Sequence, residues 1–217
     1  MAEWWKNEFY SQFGEDSILF AYFRSKEYGK SKRLDHIEPG FYVDIGAHHP
    51  YMISNTWFFY QRGWRGINVD PAPGTKKGFD AIRPRDITLE VGISDEDGAA
   101  TLFSYERRVH NTLDGSRVDG SQISEKIIVP TLRLETLLDR YMPPNQAIDI
   151  LSIDVEGLDL KVLRSNNWTK YRPEIVVSEH HEPSARALIA SEMVSAMTRW
   201  GYELYAWAQP SLIFRRR

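Results

Sequence analysis

From Phe41 onward, short apolar runs closed by glycine, proline or an acid alternate with segments of helical spacing, and this alternation restricts the fold more than any other feature of the chain. Phe41, Tyr42, Val43, Asp44 and Ile45 read as a buried strand stopped by Gly46. Ser54, Asn55 and Thr56 offer a helix cap ahead of Trp57, Phe58, Tyr60 and Gln61, with Gly63 as the stop. Residues 66–70, 87–91 and 148–153 read as strands, the last apolar on both faces as a central parallel strand must be. Residues 100–105, 126–129 and 174–178 are further strands, and helices are expected over 17–28, 76–82, 134–141, 158–163 and 184 to about 200. Residues 203–207 and 212–215 have no helix between them and predict an antiparallel hairpin at one sheet edge. The expected class is α/β, a Rossmann-like, doubly wound, mostly parallel sheet with an antiparallel carboxyl-terminal strand. Residues 1–38 would form a helical cap or flap on a core spanning 40–217, and the polar, aperiodic stretch 106–125 a substrate loop.

Composition narrows the function classes. A chain of 217 residues is the length of one domain, and 42% hydrophobic with 26% charged residues describes a folded globule. Twenty-seven Lys and Arg against thirty Asp and Glu leave a net charge of −3, which argues against nucleic acid as the partner. With no cysteine, thiolate zinc sites and cysteine nucleophiles are excluded. The charged start of the chain has no apolar core, and no segment approaches the roughly 20 apolar residues that span a bilayer, so a cytoplasmic protein without membrane insertion is expected. A homodimer is the default assembly.

In an open parallel sheet, ligands bind beyond the carboxyl ends of the strands. The residues at those ends are Asp44 to Pro50, Asp70, Gly92 to Ser94, Asp154 to Gly157, and Glu179 to Glu182. A glycine directly after the first strand lets a ligand approach the backbone, and an acid at the tip of the second can accept both hydroxyls of a ribose. That is the footprint of an adenosine-bearing cofactor. Ala47, His48, His49 and Pro50 replace the glycines a pyrophosphate would need, which disfavours a nicotinamide oxidoreductase. S-adenosylmethionine, an adenosine without phosphates, fits better.

The blocks GFYVDIGAHHP from Gly40, SNT from Ser54, GWRGI from Gly63 and LSIDVEG from Leu151, with Leu163 and Trp168, resemble the FkbM-type S-adenosylmethionine-dependent methyltransferases. The similarity runs from the Ser11–Asp16 block to about His181. It implies a Rossmann-like methyltransferase fold and methylation of hydroxyl groups, often on sugars or in glycolipid and natural-product assembly. It implies also that Asp44, Gly46 and Ala47 lie beside the methionine part of the cofactor, Asp70 at the ribose, Gly92, Ile93 and Ser94 near the adenine, and Asp154 and Glu156 at the active-site rim; His48 and Asp154 are further candidates for cofactor binding.

A sugar hydroxyl is a weak nucleophile, so its proton needs a base or a metal. Two versions stand. In one, His180 or His181 is the base and Asp154 and Glu156 orient it; in the other, Asp154, Glu179 and His180 hold a divalent metal that acidifies the hydroxyl. Gln12, Glu15, His49, Asn55 and Asn111 are candidates for acceptor binding. Arg107, Arg108 and His110 could select an anionic acceptor, the Trp4–Trp5 pair reads as part of the flap, and Arg215, Arg216 and Arg217 read as a solvated tail. The competing reading is a non-catalytic binding module that keeps the fold as a scaffold.

Overall fold

A computed structural model describes residues 7–27, 36–106, 111–118 and 123–217. Trp4, Trp5, Arg107, Arg108 and His110 lie outside the described residues. The strands are β1 (Phe41–Ile45), β2 (Arg65–Val69), β3 (Ile87–Leu89), β4 (Gly92–Ser94), β5 (Gly98–Tyr105), β6 (Ile123–Arg133), β7 (Ile150–Ile153), β8 (Ile175–Glu179), β9 (Tyr202–Ala208) and β10 (Ser211–Arg216). The helices are α1 (Glu15–Lys26), α2 (Trp57–Tyr60), α3 (Thr75–Ile82), α4 (Leu134–Tyr141), α5 (Asp159–Arg164), α6 (Ala185–Ile189) and α7 (Glu192–Arg199).

Seven strands form one sheet in the order β3-β2-β1-β7-β8-β10-β9, parallel through β8, with β10 antiparallel to both its neighbours. Alternation along the strands sends side chains to two separate cores. Val43, Ile45, Leu151, Ile153 and Val176 pack with α4, α5 and α7. Tyr42, Ile150, Ile175 and Val177 pack with the aromatic faces of α1 and α2. β1 joins rightward only to β7, much later in the chain, while β2 and β3 lie to its left, so strand order reverses between β1 and β7.

Three expectations need correction. Residues 92–94 do not finish the third strand: they leave the sheet as β4 and pair in parallel with Thr131–Arg133, beside the antiparallel β5–β6 pair, as a second, three-stranded sheet. The helix expected over 184–200 is two helices, because the Ser191 hydroxyl accepts the Val194 amide and starts α7 afresh. The arginine tail is not loose, for Arg215 pairs with Ile175 across the sheet and forms an ion pair with Glu203.

One buried cation fixes the loop after β1. Arg83 is fully buried; its Nε donates to the Pro50 carbonyl (2.5 Å), Nη1 to the Thr56 hydroxyl (2.8 Å) and Nη2 to the Ser54 hydroxyl (2.8 Å). Its counter-ion Asp86, at 3.9 Å, also accepts the Tyr42 hydroxyl, the Gly66 amide and the Asn68 side-chain amide. Removing one member of a buried, hydrogen-bonded ion pair strands the other. Arg83→Ala should therefore cost about 3–5 kcal/mol in urea unfolding, well above the fraction of a kcal/mol of a surface arginine.

Candidate functional site

The carboxyl ends of β1, β2 and β7 open onto a cavity of about 370 Å³ at the point where strand order reverses. Gly46, His48, Asp70, Gly92, Asn111, Asp154, Glu156, Glu179, His181 and Gln12 all line it, with apolar walls from Val91, Ile93, Leu102 and Leu113. A second cavity of about 20 Å³ adjoins it, and here Glu15 and Asn55 meet Gln12, Asp154 and Glu179. Asp44, Ala47, Ser94, His49 and His180 line neither cavity.

Gly46 marks the join between the two central strands. Its φ is +80°, and a Cβ there would stand 1.7 Å from the Asp154 carbonyl oxygen, so the glycine serves close approach of the β1 and β7 ends. The Asp154 amide donates back to the Ile45 carbonyl at 2.9 Å. Asp70 accepts the His48 amide (2.9 Å) on one carboxylate oxygen and the Ala72 amide (2.8 Å) on the other, which ties the first two strand-end loops together. Asp44 is buried behind the cavity, where it accepts the Thr56 hydroxyl at 2.7 Å. Ala47 donates its amide to Val69, and the Ser94 hydroxyl turns to Asp95. His49 is structural as well: its Nδ1 accepts the amides of Tyr51 (3.3 Å) and Met52 (3.1 Å), which requires a neutral ring. Burial, then the neighbouring His48 and Arg83, lowers its pKa in keeping with that role.

Asp154 and Glu156 do not share a face of an extended strand, as their spacing would suggest. β7 ends at Ile153, and Glu156 takes φ +53° in the turn that Gly157 continues; the turn nevertheless brings both carboxylates to the cavity wall. β7 and β8 pair with Ile153 opposite Ser178, so Asp154 and Glu179 follow side by side. Asp154 is solvent-accessible at the strand end, faces both cavities, and its carboxylate accepts no hydrogen bond from any described residue. Burial, then Glu179, Asp159, Glu156 and Asp44, push its pKa well above the usual carboxylate range. Asp159, buried beneath the turn, accepts the Gly157 and Glu179 amides; desolvation and then Glu179 raise it to about 7.

The two histidines separate. His181 places Nε2 3.2 Å from the Glu179 carboxylate at the cavity wall, whereas His180 turns to Glu182, also at 3.2 Å. The expected metal set of Asp154, Glu179 and His180 is therefore not assembled, since successive side chains after β8 diverge. Among the described residues no group of three or more histidines and acids is arranged to hold a metal ion. No helix among them is long and apolar enough to cross a membrane.

Sequence reasoning missed Phe13, Ile53 and Pro210, which line both cavities. Ile53 holds φ +54°, a conformation strained for a β-branched residue. The only sequence signal was the apolar run of Tyr51, Met52 and Ile53 inside a loop.

A mostly parallel sheet with a mixed acidic and apolar cavity at its strand reversal defines an α/β protein built to bind a small organic ligand. The chain belongs to the methyltransferase FkbM domain family, whose model matches residues 44–204. The family implies a methyltransferase that uses S-adenosylmethionine. The match leaves out the 11–16 block, so Gln12, Phe13 and Glu15 reach the site from outside it. Neither a curated protein nor a solved structure matches the chain.

Proposed function

We propose that the protein transfers a methyl group from S-adenosylmethionine to a hydroxyl of a sugar, nucleotide sugar or saccharide-bearing natural product, on a Rossmann-like, doubly wound sheet. The observation that carries this reading is an Asp154 carboxylate with no hydrogen-bond partner among the described residues, next to a histidine–carboxylate pair at the junction of a large and a small cavity. The residues present fit the cofactor. Asp70 has acceptor capacity left for ribose hydroxyls, Val91, Ile93, Leu102 and Leu113 offer an apolar slot for a base, and Asp154 supplies negative charge for a cationic ligand. When bound, the cofactor supplies an electrophilic methyl group.

The chain's own contribution is positioning and proton removal. His181 takes the proton of the acceptor hydroxyl, while Glu179 holds the ring and stabilises the imidazolium that forms. Glu179 is held in turn by the Asp159 bond to its amide. His181→Ala should lower kcat by about 10²–10⁴ while S-adenosylhomocysteine binds unchanged. Calorimetry and mass spectrometry check the whole reading. Binding of S-adenosylhomocysteine, and the mass gain of one methylene on a member of a sugar and nucleotide-sugar panel, are expected; failure to bind S-adenosylhomocysteine overturns it.

A further inference from the structure

The small cavity has a composition that the transfer chemistry alone does not require. Its volume of about 20 Å³ is room for one water-sized group. Three acidic residues line it, Glu15, Asp154 and Glu179, together with the amide-bearing Gln12 and Asn55. No lysine or arginine is among the described residues lining it.

Each acid is differently committed. Glu15 is only 2% exposed, and neutral donors hold it in place: the Ser211 hydroxyl at 2.6 Å on one oxygen and the Phe13 amide at 2.9 Å on the other. Glu179 faces His181. Asp154 borders both cavities and accepts nothing from any described residue. Asn55 donates one amide hydrogen to the Ser152 hydroxyl at 3.1 Å, which leaves its carbonyl oxygen and a second N–H. The wall is thus rich in acceptors, with three acids and no lysine or arginine among the described residues lining it. A buried acceptor without a donor costs free energy, and a buried charge without one costs more.

We propose that the small cavity is the acceptor subsite for a single hydrogen-bond donor, a hydroxyl or an ammonium group, and that it rejects anionic groups. The inference rests on the methyltransferase reading and adds to it the chemistry of the acceptor's inner end. Gln12, Phe13, Ile53, Asp154, Glu179 and Pro210 border both cavities, so a group in the small one stands directly beside whatever fills the large one. Phe13 and Ile53, 48% and 49% exposed, form an apolar step at that border, suited to the C–H face of a sugar ring. An anion would bring like charge against three carboxylates, whereas a donor satisfies the open acceptors.

The test uses the full chain, saturated with S-adenosylhomocysteine and carrying ¹³C-carboxyl label in Asp and Glu, titrated separately with glucose, glucosamine and formate. Glucose or glucosamine should shift the Glu15 and Asp154 resonances saturably, with a dissociation constant of about 1–10 mM, and formate should not. A stronger response to glucosamine identifies the donor as ammonium, and equal responses identify it as hydroxyl. Glu15→Gln keeps the shape of the side chain and should weaken glucosamine at least tenfold relative to glucose if ammonium is the occupant. The proposal is overturned if both sugars leave the resonances unmoved while S-adenosylhomocysteine binds, or if formate moves them. Loss of S-adenosylhomocysteine binding itself would instead strike the methyltransferase reading.

Discussion

Asp154→Asn is expected to lower kcat/KM for methyl transfer by about 10²–10³, a loss of about 3–4 kcal/mol of transition-state stabilisation, and at the same time to make the fold more stable at pH 8. The substitution removes no intramolecular hydrogen bond, because the carboxylate accepts none from the described residues. What it removes is a negative charge set among Glu179, Asp159, Glu156 and Asp44, whose like charges add to the upward shift of its pKa. The sign follows from the direction of the shift. A carboxyl whose pKa is raised on folding contributes stability that is present below the ordinary carboxylate range and is lost as pH rises through the raised value. The advantage of asparagine should accordingly grow between about pH 4 and pH 8. Thermal unfolding across that range, paired with radiolabelled methyl transfer, checks both halves. Unchanged turnover, or a variant less stable than the parent at pH 8, would refute the role given to Asp154.

Gly46→Ala should be the most damaging single-methyl change in the chain's central strands. The added Cβ meets a backbone oxygen at 1.7 Å, and no rotamer can move it away. Strands β1 and β7, paired through Ile45 and Ile153, would have to part. A cost of more than about 4 kcal/mol is expected, with loss of S-adenosylhomocysteine binding in whatever folds. Gly74 is the internal control. It also has a positive φ, +88°, but a Cβ there meets nothing within 4 Å, so Gly74→Ala should cost only the backbone term of about 1–2 kcal/mol. Urea midpoints for the two variants separate steric collision from conformational strain.

The alternation of apolar runs and helical segments carried the sheet, since each run had to be buried and each helix had to cover it. α4 begins and ends where its spacing placed it, and the β9–β10 hairpin follows from the absence of a helix between two apolar runs. What stayed hidden depends on contacts distant in sequence. The departure of Gly92–Ser94 into a second sheet is decided by pairing with Thr131–Arg133, and nothing local to residues 87–94 announces it. Arg83 falls between the expected 76–82 helix and the 87–91 strand, and only the fold reveals that Pro50, Ser54 and Thr56 converge on it.

The site follows the same division. Acids and glycine at strand ends could be read because strand ends converge by topology, and Asp70, Asp154 and Glu179 do meet at one cavity. Roles within a pair could not. Which of His180 and His181 turns to the cavity depends on the direction the chain takes after β8, and His49 reads as an acceptor-binding residue until its Nδ1 is found closing a turn. Apolar contributors such as Phe13 and Ile53 resemble any loop hydrophobe until a cavity is present to be lined.

The segment ahead of β1 largely organises itself. Asp16 gathers the Tyr10 amide and the Ser11 hydroxyl, both at 2.6 Å, and the segment grips the rest of the molecule through Glu15 on Ser211 and the Tyr22 hydroxyl on Glu174. Gln12, Phe13 and Glu15 thus arrive at the small cavity on a cassette separate from the strand ends that carry Asp70 and Asp154. If the proposed subsite holds the acceptor, its wall is split between two pieces of chain, so that substitutions in the 11–16 segment alter the small cavity without touching Asp70 or Asp154.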